Sequence, residues 1–356
     1  MNQGLLWLAW VIPAFISSSL LTHFLIGWAS RAGVLDQPNE RSSHTKVMPR
    51  GGGLSIVVVT SIAAVISAVA WPESRAAIAG LIAAALAIAY VSWLDDLKPL
   101  PNRIRFSVHV LAAVVVAMLA HPIQVVDVGG LGTLSLGYAA WPLTLLWIVG
   151  MTNAFNFMDG IDGIAGVTAA SAGFAIAVAA ACLGCHAVAA VAMAFGASSL
   201  GFLTCNWPPA KVFMGDVGSA YCGFVIAALP AIPSPEPTSR LVAVALFAMW
   251  PFIFDTIFTL MRRLANGENV FEAHRSHLYQ RCVIAGWSHR STTLLYGLLS
   301  AIAAGISLVP FFNDAATPVA TKAGLMYLAA SAVLLLILVY RAESARTARV
   351  RQVSRA

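Results

Sequence analysis

Eleven mostly apolar stretches, each close to the roughly 20 residues that an α-helix needs to cross a bilayer, constrain the folds open to this sequence. They cover residues 4–29, 51–71, 76–94, 103–121, 139–155, 163–183, 187–205, 218–233, 239–261, 291–311 and 319–340. The 356-residue chain is 59% hydrophobic and only 10% charged, which excludes a water-soluble protein with an ordinary polar surface. The pattern predicts an all-α polytopic membrane protein with about 11 transmembrane helices.

Lysine and arginine are distributed unevenly between the loops on the two sides of these spans. Eighteen of the 21 fall on one side, and only Arg75, Arg240 and Lys322 fall on the other. Because cytosolic loops are enriched in these residues, the bias predicts a periplasmic N-terminus and a cytosolic C-terminus. The net charge of +6 follows from the same bias and requires no nucleic-acid partner.

No internal repeat or low-complexity linker divides the chain. Residues 1–340 are therefore predicted to form a single membrane-embedded domain, and residues 341–356 a basic cytosolic tail that contacts anionic membrane lipids. The longest outer loop, 123–137, alternates apolar residues around a glycine-rich turn. This pattern predicts a small periplasmic β-hairpin.

The segment NAFNFMDGIDGIAG sets two amides and two carboxylates three residues apart, at Asn153, Asn156, Asp159 and Asp162. Side chains three residues apart lie within about 60° of one another around an α-helix. The four are therefore expected to line one flank of a helix end and to converge on one place. A helix end with an Asn or Asp cap is the alternative, but such a cap needs only one of the four.

Further carboxylates lie on the predicted cytosolic side. Asp95 and Asp96 are adjacent at the end of the third span, and adjacent carboxylates repel each other unless a cation lies between them. The alternative is a solvated helix end. Asp216 lies between Gly215 and Gly218 at the start of the eighth span, where unpaired N–H groups suit a phosphate. There it is either an N-cap or a metal ligand, and we favour the ligand.

Basic residues accompany these acids in the inner loops. The first loop carries His44, Lys46 and Arg50 ahead of three glycines, which suits a polyanion such as a pyrophosphate. The positive-inside bias alone would explain the basic residues but not the glycines. The segment FEAHRSHLYQR carries His274 and His277, whose spacing suits a metal or phosphate oxygens, although a histidine pair on a surface helix is often inert.

One carboxylate, that of Asp255, lies inside the ninth predicted span. A charged group at this depth costs about 2.5 to 3.5 kcal/mol on insertion scales, so it needs a partner. Arg262 and Arg263 follow about two turns later. We therefore expect a supporting role for Asp255.

Five motifs follow one another between about Asp36 and Arg290. They are DQPNERSSH with PRGGG, DD, NAFNFMDGIDG, NWPPAKVFMGDVGS and HRSH. In this order they resemble the polyprenyl-phosphate N-acetylhexosamine-1-phosphate transferases, which include the phospho-MurNAc-pentapeptide translocase. The RSSH and HRSHLYQR forms are similar to the branch that starts O-antigen and capsule-type glycans.

The resemblance implies that undecaprenyl phosphate attacks the β-phosphorus of a UDP-N-acetylhexosamine, giving a polyprenyl-diphosphate sugar and UMP. It implies Mg²⁺ as the cofactor, with Mn²⁺ as the alternative ion. It also implies a cytosol-facing active site in the bacterial inner membrane. The donor sugar, the glycan pathway and the choice between a monomer and a homodimer are left open.

The resemblance also assigns roles to individual residues. Asp216 and Asn156 match the metal ligands. The implied catalytic group contains the paired aspartates, the second acidic pair and two histidines: Asp95, Asp96, Asp159, Asp162, His274 and His277. One of the paired aspartates would deprotonate or position the lipid phosphate. The expected substrate-binding group contains residues for phosphate and sugar, and Asn206 and Phe213 for uracil: His44, Lys46, Arg50, Arg103, Arg105, Asn153, Asn206, Phe213 and Arg275.

Two other classes of membrane protein share some of these features. Ion- or lipid-coupled transporters carry intramembrane carboxylates and broken helices, but they bind substrates near the midplane. CDP-alcohol phosphotransferases use Asp-Gly motifs and a divalent metal, but they require an Arg and later Asp residues that DGIDGIAGVTAASAGF lacks. The sequence therefore favours the transferase interpretation.

Overall fold

Thirteen α-helices dominate the described part of the chain in a computed structural model. The structure describes residues 3–38, 46–127, 130, 132–232, 239–270, 272 and 274–353. The helices are α1 (Gln3–Ala32), α2 (Leu54–Ala70), α3 (Arg75–Leu97), α4 (Asn102–Ala120), α5 (Ala140–Met158), α6 (Ile164–Cys182), α7 (His186–Asn206), α8 (Asp216–Ala228), α9 (Ser239–Ala248), α10 (Trp250–Ala265), α11 (Leu278–Ile284), α12 (His289–Phe312) and α13 (Thr317–Val353).

Seven of these helices are long and apolar enough to cross a membrane. The count becomes eight if α9 and α10, which meet at an angle of 69°, form one broken span. The all-α polytopic architecture is therefore confirmed. Each of the 11 predicted stretches coincides with a helix or a helix pair, but α2 and α8 are shorter than a full span and α5 is not among the seven. The total of 11 crossings stays a prediction.

Contacts between helix ends show that several helices alternate in direction. Arg50, ahead of α2, and Asp96, near the end of α3, both contact Asp216 at the start of α8. At the opposite end of the bundle, Trp71 follows α2, and its ring centroid lies 6.4 Å from that of His186 at the start of α7. The predicted polar loops on α2, α3 and α8 therefore do meet at one end.

Two short antiparallel strand pairs accompany the helices. The pair of β3 (Val125–Asp127) and β4 (Thr133–Ser135) confirms the predicted hairpin. The pair of β1 (Leu35–Asp36) and β2 (Met48–Pro49) was not predicted, and it holds together the two sides of the first inner loop. This pairing fixes the approach of the chain to Arg50, which directly follows β2.

The centre of the bundle is formed by α6 and α7, whose apolar segments are 72% and 83% buried. Small residues allow this close approach, because a Cβ on Gly173 would lie only 2.8 Å from the Cα of Gly196. Around this centre, hydroxyl groups join neighbouring helices, as in the hydrogen bond from Thr22 to Ser55. The packing thus holds α8 and its polar first turn against a close-packed support.

The predicted cytosolic tail continues the helix of the last predicted span without a break. Helix α13 runs without interruption through residue 340 to Val353, and its length is about 55 Å at 1.5 Å per residue. Glu343 accepts two hydrogen bonds of 2.8 Å from the guanidinium of Arg281 on α11. The first turns of the predicted tail are therefore part of the packed structure, while residues 354–356 lie outside the described part.

The triple glycine of the first inner loop is a packing element. The N–H groups of Gly52 and Gly53 donate to the carbonyl oxygens of Phe213 and Met214 at 2.9 Å. The expectation that this backbone binds a polyanion is wrong for these two groups, because both N–H groups are already used. The glycines instead let the first inner loop approach α8.

Replacing Gly53 by alanine is expected to lower both the thermal stability and the activity of the protein. The new Cβ would lie 2.5 Å from the Cα of Gly218 and 2.8 Å from the carbonyl oxygen of Met214, and backbone at this distance has little room to yield. Overpacking of this kind costs about 1 to 3 kcal/mol. Thermal unfolding in detergent would measure the loss. Gly150→Ala on α5 is the matched control, since its Cβ would meet nothing within 4 Å; equal midpoints in the two variants would contradict the prediction.

Candidate functional site

The candidate site lies where the end of α3 meets the start of α8. Asp96 accepts hydrogen bonds from the backbone N–H groups of Asp216 at 2.9 Å and Val217 at 3.0 Å, and its side chain is fully buried. The expectation that these N–H groups are free for a phosphate is therefore wrong. The carboxylate of Asp96 occupies the positive end of the helix dipole, which a phosphate would otherwise take.

Two arginines join the carboxylates of this site. The Nη2 atom of Arg50 lies 2.8 Å from Oδ1 of Asp96 and 3.0 Å from Oδ1 of Asp216. The Nη1 atom of Arg105 binds Oδ2 of Asp95 and lies 3.3 Å from Oδ2 of Asp216. Both arginines thus contact Asp216. Because its side chain is 22% exposed, a ligand could still reach it.

The end of α5 brings two more predicted residues to this cluster. Asn156 donates from Nδ2 to the hydroxyl of Ser219 at 2.9 Å, which leaves its Oδ1 for another partner. Asp159 follows the last residue of α5. Burial, and next the negative charge of Asp216, raise the pKa of Asp159 from 3.8 to about 7. The two residues thus bring the end of α5 to the start of α8.

The balance of charge at this site suits a divalent cation. Among the described residues, four carboxylates, those of Asp95, Asp96, Asp159 and Asp216, interact with two guanidinium groups, which leaves an excess of two negative charges when all four are ionised. Carboxylate and amide oxygens are the ligands that Mg²⁺ prefers. Within the described residues, no group of three or more His, Cys, Asp and Glu side chains is arranged to hold a metal ion. Asp216 and Oδ1 of Asn156 supply two such oxygens, so an ion held by them would keep several of its water ligands.

The stability of the metal-free protein is expected to fall as the pH rises from about 4 to about 7. A carboxyl whose pKa is higher in the folded state than in the unfolded state stabilises the fold while protonated, and this contribution is lost as the pH rises through the folded-state value. For Asp159 that value is about 7. Thermal unfolding with a chelator present would measure the change, and the midpoint of Asp159→Asn should depend less on pH. Identical pH dependence in the two proteins would contradict this assignment.

Two members of the predicted run of four point elsewhere. Asn153 donates to the carbonyl oxygen of Val149 on its own helix at 2.8 Å. Asp162 accepts from the N–H of Ala210 at 3.1 Å, and its Oδ1 lies 3.3 Å from Nδ1 of His289. The prediction that all four converge on one place is therefore wrong, because α5 ends at Met158 and the turn that follows rotates Asp162 towards the loop after α7.

Asn206 and Phe213, expected at the uracil, lie at the two ends of that loop. Asn206 is 3% exposed, its Oδ1 accepts from Gly163 N at 2.9 Å, and its Nδ2 donates to Val212 O at 2.8 Å. Each of these two atoms has capacity for one further hydrogen bond, but the side chain would have to become more exposed to contact uracil. Phe213 is partly buried, and its N–H donates to the carbonyl oxygen of Pro49. Both residues thus shape the loop between α7 and α8, and their contact with uracil stays a prediction.

The HRSH motif lies directly ahead of α11. The ring centroids of His274 and His277 are 5.0 Å apart, and Nδ1 of His277 lies 3.1 Å from Oδ1 of Asp255. The expected partners of Asp255, Arg262 and Arg263, bind elsewhere: Arg262 donates to the carbonyl oxygen of Ser276, and Arg263 binds Glu268. The partner of the buried carboxylate is a motif histidine, because the loop after α10 folds back over it.

The remaining predicted residues are exposed, partly buried or beyond the described part. Lys46, Arg103 and Arg275 are exposed. His44 lies outside the described residues. Burial, and next the charge of His277, lower the pKa of His274 to about 4, so His274 is neutral at pH 7.

Some contacts that organise the site could not be predicted from the sequence. Ser219 binds Asn156, and His289 approaches Asp162 from the start of α12. Both are common residues at helix ends, and only the tertiary structure brings them to the motifs. Its position next to the predicted cytosolic end of a span is the only sequence signal that points to His289.

Comparison with known proteins identifies relatives of this chain. The sequence profile of glycosyl transferase family 4 matches residues 78–233. The probable undecaprenyl-phosphate N-acetylglucosaminyl 1-phosphate transferase of Bacillus subtilis is 30% identical over 298 residues, which are 82% of each chain. The decaprenyl-phosphate N-acetylglucosaminephosphotransferase of Mycobacterium tuberculosis is 30% identical over 84% of this chain and 82% of its own.

A third relative extends the comparison to another bacterial group. The undecaprenyl-phosphate alpha-N-acetylglucosaminyl 1-phosphate transferase of Escherichia coli is 27% identical over 85% of this chain and 83% of its own. The matched profile includes Asp95, Asp96, Asn156, Asp159 and Asp216, which meet at the site described above. The motif order, the convergence of the motifs in space and these relatives agree, and the chain belongs to glycosyl transferase family 4.

Proposed function

We propose that this protein transfers an N-acetylhexosamine 1-phosphate from a UDP-sugar to undecaprenyl phosphate, releases UMP and thereby initiates the synthesis of a lipid-linked glycan. The relatives described above carry names for this type of reaction. The observation that carries the proposal is the cluster of Asp95, Asp96 and Asp216 with Arg50 and Arg105. Such a cluster meets the main need of phosphoryl transfer, which is neutralisation of charge at aligned reactants.

The transfer joins two anions. An oxygen of the lipid phosphate forms a bond to the β-phosphorus of the donor. The bond between that phosphorus and the bridging oxygen breaks, and this oxygen leaves as part of UMP. Arg50 and Arg105 lie at Asp216 and are placed to move from its carboxylate to the incoming phosphate oxygens. Guanidinium groups suit this exchange because they bind carboxylate and phosphate with the same geometry.

The cofactor that we propose is Mg²⁺, with Mn²⁺ as the alternative. Asp216 and Oδ1 of Asn156 would hold it, because Asp216 is the exposed carboxylate of the cluster and the amide nitrogen of Asn156 is already bound to Ser219. When bound, the ion would supply positive charge to the diphosphate and to the departing UMP. Asp159 provides further negative charge beside these ligands.

The contacts of the paired aspartates favour positioning over proton transfer. Both oxygens of Asp96 accept backbone hydrogen bonds, and Arg50 binds the same carboxylate. Asp95 is bound by Arg105 and by the N–H of Leu100. We therefore assign to Asp96 the role of holding Arg50 and the first turn of α8 in place, and to Asp95 that of holding Arg105.

The site belongs on the cytosolic side of the bacterial inner membrane in this proposal. The loops at this end of the bundle carry most of the Lys and Arg residues, which supports a cytosolic location. UDP-sugars are made in the cytosol, and the lipid phosphate reaches the site from the bilayer. The basic end of α13 is proposed to contact anionic lipids on the same side. A monomer and a homodimer are both compatible with this arrangement.

The proposed function is tested with purified protein, undecaprenyl phosphate and a panel of UDP-N-acetylhexosamines, with Mg²⁺ varied. UMP release and a lipid product heavier by one N-acetylhexosamine phosphate are expected. A parallel reaction with a CDP-alcohol separates this activity from that of a CDP-alcohol phosphotransferase by the nucleotide released. Uptake into vesicles without UMP release would favour a transporter and would overturn the proposal.

A further inference from the structure

Asp255 is a fully buried carboxylate on α10 that the proposed reaction does not yet use. Its Oδ1 accepts from the N–H of Leu278 at 2.8 Å, and its Oδ2 accepts from the N–H of Tyr279 at 3.1 Å and from the hydroxyl of Tyr296 at 2.7 Å. The hydroxyl of Thr259 also donates to Oδ1 at 3.1 Å. These donors hold the carboxylate in one orientation and tie the start of α11 to α10.

The remaining partner of Asp255 is the second histidine of the HRSH motif. Nδ1 of His277 lies 3.1 Å from Oδ1 of Asp255, and since a carboxylate only accepts, this nitrogen carries a proton. The bond fixes the orientation of the imidazole ring and leaves Nε2 as the nitrogen that can meet a ligand. A carboxylate that orients a histidine in this way occurs in metal sites and in hydrolytic enzymes on unrelated folds.

Helix α11 also lies against the turn that follows α5. The hydroxyl of Tyr279 donates to the carbonyl oxygen of Phe157 at 3.2 Å. A Cβ on Gly160, the residue after Asp159, would lie only 2.1 Å from that hydroxyl. The HRSH motif is therefore fixed relative to the acidic turn of the site, although it is distant from this turn in sequence.

We propose that Asp255 is a positioning residue of the transferase, which holds His277 with its Nδ1 protonated and its Nε2 directed to the diphosphate of the donor. The inference rests on the proposed function, since it adds to the same site a residue that acts through His277. Asp255 itself touches no substrate. Its effect on catalysis runs through the ring of His277.

The test is a double-mutant cycle on UMP release. Asp255→Asn preserves the shape of the side chain. The Nδ2 atom of the asparagine donates a hydrogen bond and so favours a histidine that accepts at Nδ1, which is the opposite tautomer of the ring. The kcat of this variant should fall at least tenfold, by analogy with other oriented histidines, with a smaller change in KM for the UDP-sugar. The double variant Asp255→Asn with His277→Gln should be no slower than His277→Gln alone, whereas independent effects would multiply. Multiplied effects, or a single variant as active as the wild type, would overturn the inference.

A matched control and a spectroscopic measurement complete the test. Thr256→Val, on the same helix, removes a buried hydroxyl that has no hydrogen-bond partner among the described residues, and it should leave kcat unchanged. ¹⁵N NMR of histidine-labelled wild-type protein, assigned with His277→Gln, should show a protonated Nδ1 at His277. An unprotonated Nδ1 there would overturn the inference even if Asp255→Asn failed to fold. A wild-type protein without UMP release would instead refute the proposed function.

Discussion

Replacing Asp216 by asparagine is expected to lower turnover by about a hundredfold to a thousandfold without lowering the thermal stability of the metal-free protein. The loss of turnover follows because both arginines of the site and the proposed Mg²⁺ meet at this carboxylate, and removing one preorganised electrostatic contact from an active site costs about 10² to 10³. Stability should be kept because Arg50 still binds Asp96 and Arg105 still binds Asp95. Loss of one of four neighbouring carboxylates also relieves repulsion.

Two measurements separate these effects for Asp216→Asn. UMP release at saturating Mg²⁺ gives the turnover, and thermal unfolding with and without Mg²⁺ gives the stability and the effect of the ion. The wild type should be stabilised by Mg²⁺, and the variant should not. Glu73→Gln, an exposed acid in the segment between α2 and α3, is the control and should behave as the wild type. A variant that retains both turnover and stabilisation by Mg²⁺ would rule out Asp216 as the proposed ligand.

The sequence was sufficient to predict the architecture, since the period and length of apolar segments report directly on membrane helices. Each predicted stretch became a helix or a helix pair, and the hairpin formed by β3 and β4 was recognised from its alternation. The break between α9 and α10 could not be read in this way. Its two halves are joined by a bend of 69° within a single apolar stretch, and hydropathy does not report direction.

The sequence predicted which residues lie together where their position follows from helix ends, and it failed where their position depends on packing. Asp96, Asn156 and Asp216 lie at helix ends on the same side of the bundle, so the topology alone brings them close. Asp162 was misplaced because the turn after α5 rotates it away, and only the loop after α7 explains that rotation. The capping of α8 by Asp96 likewise could not be predicted from the sequence, because it joins residues 120 positions apart.

The partner of Asp255 illustrates the limit of distance along the chain. Arg262 and Arg263 were the nearest opposite charges in sequence, yet the carboxylate binds His277, which is 22 positions away. A buried carboxylate needs several donors, and the start of α11 supplies two backbone N–H groups beside the histidine. The cost of burial predicted that a partner exists, but only the folded loop determines which residue it is.

Replacing Asp96 by asparagine is expected to lower turnover as strongly as Asp216→Asn and, unlike it, to destabilise the protein by about 2 to 4 kcal/mol. Asp96 is fully buried and binds two backbone N–H groups of α8 together with Arg50. The amide of asparagine has one accepting oxygen, so its NH₂ group must face a backbone N–H or the guanidinium. Arg50 then loses the charge that holds it, and the first turn of α8 loosens around Asp216. Thermal unfolding of the two variants side by side measures the contrast, and equal midpoints would show that Asp96 does not support the site as a cap.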